Sequence, residues 1–531
     1  MGSWPTRPEE LVLSLRDDLH AATYTVDRLG ELLGEAASAA LGREQVIPAV
    51  RRARTLTDPA ATLARLFMLG DEITPAELRA ALPRSADHAA DLGLVAPATG
   101  GALRALMDLR PVDLGEESLY LAADLGEATT GQAVAAEHVL GLGGASRTLV
   151  ELTVPGPVGR ALDLGTGCGV QALALAARAG LPGPAPAGPI GSAGAGLGSV
   201  TATDISSRAL AYAAFNAALN GVELDLREGS MLDPVAGEQF DQVVSNPPFV
   251  ITPRIPGALP AYTYRDAGGT GDAMARDLVT GLAAHLAPGG IAQLLLNWEI
   301  HDQADPFARI RTWCETSGLD AWVIGRDRTD PCAYAETWLR DGGITPEREP
   351  NAWRRGYLAW LADFEARGVQ EVGFGYLTLH RPEPGRQHSG RGPWLRTEEL
   401  GHRPPGSMGA TIAATLAAKD ALAELDDAAL AALPLTIASD VTEERHYRPG
   451  SAHPEVIMLH QGGGLGRSVR ADTALAAVVG ASDGELTVTQ IAAGVAVLTD
   501  TSPEAVAESV IADIRGLVLD GFLHLPSYRK G

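Results

Sequence analysis

Three places in this sequence put reactive or ligand-holding residue types where an apolar run stops: Asp163 to Gly169, Asp204, and Asn246 to Phe249. Arg160–Leu164 reads as a strand that enters Gly165-x-Gly167-x-Gly169, and Val170–Ala179 as the helix that leaves it. Glycines at that spacing let the backbone turn tightly and come close to a ligand, with Thr166 between them. Asp163 adds a carboxylate at the carboxyl end of the strand, where open α/β sheets bind ligands. Such a loop alone is also an ordinary strand–helix turn. Val200–Asp204 reads as the next strand, and Asp204 at its end can accept hydrogen bonds from both hydroxyls of a ribose, with Ile205 following. In isolation an Asp there is more often the cap of a helix, here the one starting at Ser206 or Ser207. Phe240–Ser245 then ends in Asn246-Pro247-Pro248-Phe249. The prolines stiffen the loop and bring no N–H donors. The Asn246 amide oxygen and the Pro247 carbonyl can accept from a single –NH2 group, with Phe249 over its planar face. The same four residues can be an Asn-Pro turn on a buried Phe.

The order of these parts is more specific than any one of them. A glycine loop, an acid one strand later and an NPPF loop, each at the carboxyl end of a strand, resemble the class I S-adenosylmethionine-dependent methyltransferases with an (N/D/S)PP(Y/F) loop. Those include release-factor glutamine, N6-adenine and ribosomal-RNA guanine-N2 methyltransferases. The resemblance covers roughly residues 120 to 385. It implies a seven-stranded, doubly wound, Rossmann-like sheet and S-adenosylmethionine as methyl donor. It assigns Asp163, Gly165 and Gly167 to the methionine part, Asp204 to the ribose, Thr166, Ile205, Ser230, Met231 and Asn246 to further contacts with the cofactor, and Asn246, Pro247, Pro248 and Phe249 to the acceptor loop. The families often carry Asp after the glycine that closes the third strand; here Gly229 is followed by Ser230 and Met231. Ser230 can still hydrogen-bond the adenine, less strongly than a carboxylate.

The implied chemistry is methyl transfer to a planar amide or amine nitrogen in a protein glutamine or a nucleobase. The sulfonium is an activated leaving group, so positioning supplies much of the catalysis and no metal is called for. Downstream, Tyr262 to Asp272 is rich in glycine and follows the loop; Arg254, Tyr264 and Arg265 are candidates to hold the acceptor, the arginines as anion clamps. Those arginines keep open a second reading, methylation of a carboxylate or hydroxyl on a small molecule. A third class, a non-catalytic binding protein, is disfavoured because the cofactor motifs are intact except at Ser230. A decoy, Gln461-Gly-Gly-Gly-Leu-Gly-Arg467, lacks the Lys-Ser/Thr of a phosphate loop and reads as a turn.

Positioning those residues takes an alternation of strand and helix from about 160 to 385, with strands expected at 160–164, 200–204, 223–228, 240–245, 291–298, 321–325 and 374–380. Gly180–Ser199, mostly Gly, Ala and Pro, reads as a surface insertion. Residues 1–112 read as a helical, winged-helix-like domain. Thr74-Pro75-Ala76-Glu77 opens a helix there, and short strands follow at Leu92–Leu94 and Ala102–Leu109. Residues 113–385 form the methyltransferase domain. Residues 386–531 hold a linker at Gly390–Pro405 and a second winged-helix-like module, with helices opening at Glu485–Gln490 and Pro503–Gly516 and a hairpin-like tail at Leu517–Leu525.

The chain has 531 residues, 46% hydrophobic and 20% charged, ample for packed cores. A formal net charge of −24 disfavours generic duplex nucleic acid as a partner. Cys168, Cys314 and Cys332 form no CxxC or Cys/His spacing and fit a reducing cytoplasm. Arg7, Glu9, Glu10, Arg16, Asp17 and Asp18 interrupt the first twenty positions, and no uncharged apolar run is long enough to span a bilayer. The expectation is a cytoplasmic enzyme with no membrane partner.

Overall fold

Near-continuous aliphatic runs such as Ala161–Leu164 and Val243–Val244 suit strands buried on both faces, and they form the centre of one large sheet. A computed structural model of the chain describes residues 9–115, 117–131, 134–156, 159–178, 198–253, 265–266, 268–384 and 392–526. Arg254, Tyr264 and residues 180–197 of the expected insertion lie outside that set. The chain forms two compact units; one runs to Val150 and takes in Gly156–Glu383 and Gly392–Gly401, and the other takes in Glu151–Pro155 and the chain from His402 on.

In the first unit the strands are β1 Arg160–Leu164, β2 Ser199–Asp204, β3 Asp225–Glu228, β4 Phe240–Ser245, β5 Leu286–Ile300, β6 Asp320–Thr329, β7 Glu371–His380 and β8 Leu395–Glu399. They lie in the order β3-β2-β1-β4-β5-β7-β6-β8. The first five run parallel; β7 is antiparallel to both neighbours. Chain direction across the sheet reverses between β1 and β4, so the crevice at their carboxyl ends is the topological switch point. Leu162, Leu164, Val243, Leu294, Val323 and Leu377 pack with Phe240, Trp298 and Trp313 in its core.

The seven expected strands are present, and an eighth corrects the linker reading. Leu395–Glu399 pairs in parallel with Ala321–Gly325. Its composition, Leu-Arg-Thr-Glu-Glu, is polar because it is an edge, where charge discourages further pairing. β5 also runs beyond its expected end. Ser245 at the end of β4 pairs with Leu294, so Leu295–Ile300 project past β4 with β7 alongside.

Helix α1 (Val170–Arg178) follows β1, and α2 (Ser207–Asn220) follows β2. Ser206 Oγ caps α2 by accepting from Ala209 N–H, and Gly221 closes it at φ +69°. On α2, Asn216 and Asn220 are one turn apart and buried. Asn216 accepts from Ala122 N–H at 2.7 Å and donates to Ala122 O at 2.8 Å; Asn220 does the same for Tyr120 at 2.9 and 2.7 Å. Two side-chain amides thus stand in for a neighbouring strand along the hairpin Asp108–Leu114/Glu117–Ala123.

Preceding that hairpin, Thr74 and Glu77 form a reciprocal capping box on helix Pro75–Ala81. The expected third helix of a winged helix is only a 3-10 turn, Ala86–His88. Pro83 and the hydrogen bonds from Arg84 N–H, Ser85 N–H and Ser85 Oγ to buried Asp18 hold that stretch in another path. The wing is Val95–Pro97 against Leu103–Ala105, so the single strand expected over Ala102–Leu109 splits between two hairpins.

The second unit has helices Met408–Ala423, Asp427–Ala431, Thr473–Gly480, Val488–Thr499 and Pro503–Leu519 with two three-stranded sheets. Thr487 and Gln490 cap Val488–Thr499 as a capping box. The tail Leu523–His524 pairs with Thr436 and Ile437 rather than closing a local hairpin. The glycine-rich decoy is a turn between strands Val456–Gln461 and Ser468–Ala471, and Gly462 and Gly463 donate their N–H groups to Asp440. Among the described residues no helix is long and apolar enough to cross a membrane.

Candidate active site

The glycine loop leaves β1 and folds across the end of β2. Gly165 and Thr166 both donate N–H to Thr203 O, at 2.9 and 2.8 Å. Gly165, Gly167 and Gly169 have φ of +74°, +55° and +93°. Their reasons differ. A Cβ on Gly169 would meet Ala213 of α2 at 3.3 Å, whereas one on Gly165 or Gly167 would meet no protein atom within 4 Å. The third glycine is needed for packing; the first two keep a backbone surface open.

Asp163 is 2% exposed. Its Oδ2 accepts from Thr166 Oγ1 at 2.5 Å and from Ala172 N–H at 3.0 Å, so it braces the loop from beneath. Burial pushes this carboxyl up to about 7, against the pull of those two hydrogen bonds, and the Asp204 charge adds to the rise. Asp204 is partly buried, accepting Gly167 N–H at 2.9 Å and Ser206 N–H at 2.8 Å. Burial raises its pKa too, with the backbone donors opposing. Beside it Ile205 is 61% exposed, an apolar face with no burial of its own. Gly229 N–H donates to Asp204 O at 3.0 Å, which brings the exposed Ser230 and the half-buried Met231 (φ +46°) to the same strand end.

At the end of β4, Ser245 Oγ donates to Leu164 O at 2.7 Å and ties the NPPF loop to the glycine loop. Pro247 is buried. Asn246 Oδ1 is sealed from solvent and has no hydrogen-bond partner among the described residues. A buried carbonyl without a donor is costly, and a native site that tolerates one needs a reason. Phe249 meets Trp338 edge-on, with ring centres 6.1 Å apart. A cavity of about 510 Å³ opens beside it, lined by Phe249, Asn297, Tyr334, Trp338, Phe374 and Tyr376 among others. That volume is in the range of small-ligand pockets. Its far wall is the stretch of β5 and β7 that projects past β4.

Of the expected acceptor residues, Phe249 faces this cavity. Arg265 is buried, and its Nη1 donates to Trp338 O at 2.8 Å and to Asp341 Oδ2 at 2.7 Å. Its charge sits at the carboxyl end of helix α3 (Pro331–Asp341), where a cation is favoured. Asp272 is likewise committed, to Arg309 at 2.6 and 2.7 Å and to Glu299 N–H at 2.9 Å. Tyr334, Trp338, Asn297 and Phe374 were not singled out by motif. The available signal was density: a chain with 5% aromatics gathers Tyr334, Trp338, Trp353, Tyr357, Trp360 and Phe364 in one short stretch. No group of His, Cys, Asp and Glu among the described residues could hold a metal ion.

Residues 186–257 match the family model of the methyltransferase small domain, and residues 21–106 match a domain of unknown function, DUF7059. The release factor glutamine methyltransferase of Deinococcus radiodurans is 36% identical over 174 residues, 32% of this chain and 56% of that protein. The ribosomal protein uL3 glutamine methyltransferase of Bordetella pertussis is 31% identical over 153 residues, 27% of this chain and 46% of that one. The chain thus spans about half the length of the relatives it matches. The solved 16S rRNA N2 G1207 methyltransferase of T. thermophilus covers 51% of this chain and 63% of its own, at 18% identity and a TM-score of 0.26, too loose a likeness to add to the strand order. The family and relative matches bear out the resemblance to class I methyltransferases read from the motifs.

Proposed function

We propose that the α/β core transfers a methyl group from S-adenosylmethionine to a planar amide nitrogen, with a protein glutamine as the acceptor class. One observation carries the reading: Asn246 Oδ1 is buried and unpaired among the described residues, next to Phe249, at the switch point of the sheet. An N–H of the acceptor supplies the missing donor. The Pro247 carbonyl accepts a hydrogen bond from the second N–H of the same –NH2, and Phe249 covers its face. Both interactions strengthen as positive charge develops on the nitrogen. The relatives named above act on glutamine by their names, which supports that choice of acceptor.

S-adenosylmethionine, when bound, supplies a methyl on an already activated leaving group. The open backbone of Gly165, Thr166 and Gly167 would hold its methionine part, with Asp163 bracing that loop. Asp204 would accept from the ribose hydroxyls. Ile205 and Met231 would cover the adenine, and Ser230 would meet its edge. The surface left free at Gly165 and Gly167 fits a close-lying ligand. A carboxylate acceptor would call for an unanswered cation; among the described residues Arg265 is answered by Asp341, and Arg326 on the cavity lining by Asp327. That favours nitrogen over the oxygen-methylating reading. Within the same proposal, residues 1–112 and the chain from His402 on serve as flanking modules, and the few cysteines support a reducing cytoplasm.

The test is to incubate the full chain with methyl-labelled S-adenosylmethionine and N-acetylglutaminamide, with a carboxylate analogue, N-acetylglutamate amide, in parallel. Label on the side-chain amide nitrogen is expected. Label on the carboxylate alone would transfer the assignment to the oxygen reading, and no label on either would sink both.

A further inference from the structure

Between β6 and β7 the chain inserts two helices, α3 and α4 (Pro350–Arg367), which pack with the segment after the NPPF loop into an aromatic core of their own. Val250 and Ile251 are 1% exposed in that core. Ile251 is held at both of its backbone polar groups by side chains from the insertion. Its N–H donates to Tyr334 Oη at 2.9 Å, and its carbonyl accepts from Trp360 Nε1 at 2.8 Å. The same Tyr334 Oη accepts from Asn297 Nδ2 at 3.3 Å, on the projecting part of β5. Tyr334 and Trp360 are fully buried. A single phenol oxygen therefore joins the acceptor loop, the cavity wall and the inserted helices.

We propose that Tyr334 and Trp360 are positioning residues: they fix the Ile251 backbone and so hold the Asn246–Phe249 loop in the one conformation that presents Asn246 Oδ1 and Phe249 to an acceptor. The loop needs such help because its own polar groups give little anchorage. Its prolines carry no N–H. Asn246 Oδ1 is unpaired among the described residues, so nothing there holds the amide before an acceptor arrives. On the other side Val250 N–H donates to Arg265 O at 2.8 Å, which fastens the loop to the Arg265–Asp266 segment but not to the cavity wall. The inference rests on the methyl-transfer reading for its consequence and on the two hydrogen bonds for its geometry.

Tyr334→Phe and Trp360→Phe each delete one of these bonds and keep a ring in place. Phe364→Leu is the control. Phe364 is buried in the same cluster, with its ring 5.6 Å from that of Tyr334, and makes no hydrogen bond to the loop. Hydrogen exchange is followed over residues 246–252 and, as reference, over 160–169. Each of the two polar deletions should speed exchange in 246–252 by about ten-fold or more and leave 160–169 unchanged, as expected for a buried N–H or C=O that has lost its partner. With N-acetylglutaminamide as acceptor, kcat/KM should fall by about ten-fold or more while affinity for S-adenosylhomocysteine stays within about two-fold. Unchanged exchange in both polar variants would overturn the proposal. So would an equal response from Phe364→Leu at matched loss of Tm. The expected exchange response in a protein whose wild type transfers no methyl to the amide would keep the positioning assignment and reject the methyl-transfer reading.

Discussion

The two sides of this sheet edge treat their polar groups in opposite ways. At the ends of β1 and β2, Asp163 and Asp204 are each satisfied by neighbours in the same loops, Thr166 and Ala172 for one, Gly167 and Ser206 for the other. At the end of β4, Asn246 Oδ1 is left without a donor among the described residues. The first side is rigid before any ligand arrives, and a ligand meets preset backbone. The second holds a hydrogen-bond acceptor with no donor among the described residues, which on the proposed reading the substrate amide completes. Preorganisation on one side and an unsatisfied group on the other fit a donor that must be held still and an acceptor that must be selected and activated.

That contrast predicts separable losses. The largest belongs to Asn246→Ala, which should lower kcat by about a hundred-fold or more with affinity for S-adenosylhomocysteine nearly unchanged, read by label transfer and calorimetry. Next come changes on the cofactor side. Gly167→Ala puts a methyl into the open surface, and Asp204→Ala removes the acceptor at β2; each should weaken S-adenosylhomocysteine binding by about ten-fold or more in calorimetry. Gly169→Ala should instead cost stability, because its Cβ meets Ala213, so a Tm drop larger than that of Gly167→Ala separates packing from ligand approach. Phe249→Leu should raise KM for the amide by about three- to ten-fold and change kcat less.

The smallest effect is on pH dependence. Burial holds folded Asp163 at about 7, well above the ordinary value of 3.8 for an unfolded chain. Between those values the folded protein keeps a proton that the unfolded chain has released. Stability from this group is therefore complete below about 4 and lost as pH rises toward about 7. Asn at 163 does not titrate. Without ligand, the Tm of Asp163→Asn relative to wild type should rise by a few degrees between acidic pH and pH above about 7. A parallel course of the two Tm curves would place the titration elsewhere.

The geometry at the ends of β1, β2 and β4 was legible in the sequence because its parts are local. Asp163 lies three residues from Thr166, and a strand end fixes each of Asp204 and Asn246. The helix start at Thr74-Pro75-Ala76-Glu77 was legible for the same reason. The acceptor wall was not. Tyr334 reaches Ile251 across 83 positions and Trp360 across 109, and no spacing rule joins residues that far apart. Arg265 shows the converse error. A cation beside a candidate loop invites the role of clamp, but Asp341, 76 positions away, already pairs with it. The edge strand Leu395–Glu399 escaped notice because its charges, which suit a sheet edge, also suit a linker.

The division of labour is tested most directly by one paired measurement: single-turnover methyl transfer to N-acetylglutaminamide, with saturating S-adenosylmethionine, by Asn246→Ala and by Asp204→Ala. The account predicts that Asp204→Ala keeps a rate within about ten-fold of wild type once saturated, while Asn246→Ala falls by about a hundred-fold or more. Equal rates for the two variants, or a wild-type rate in Asn246→Ala, would contradict it.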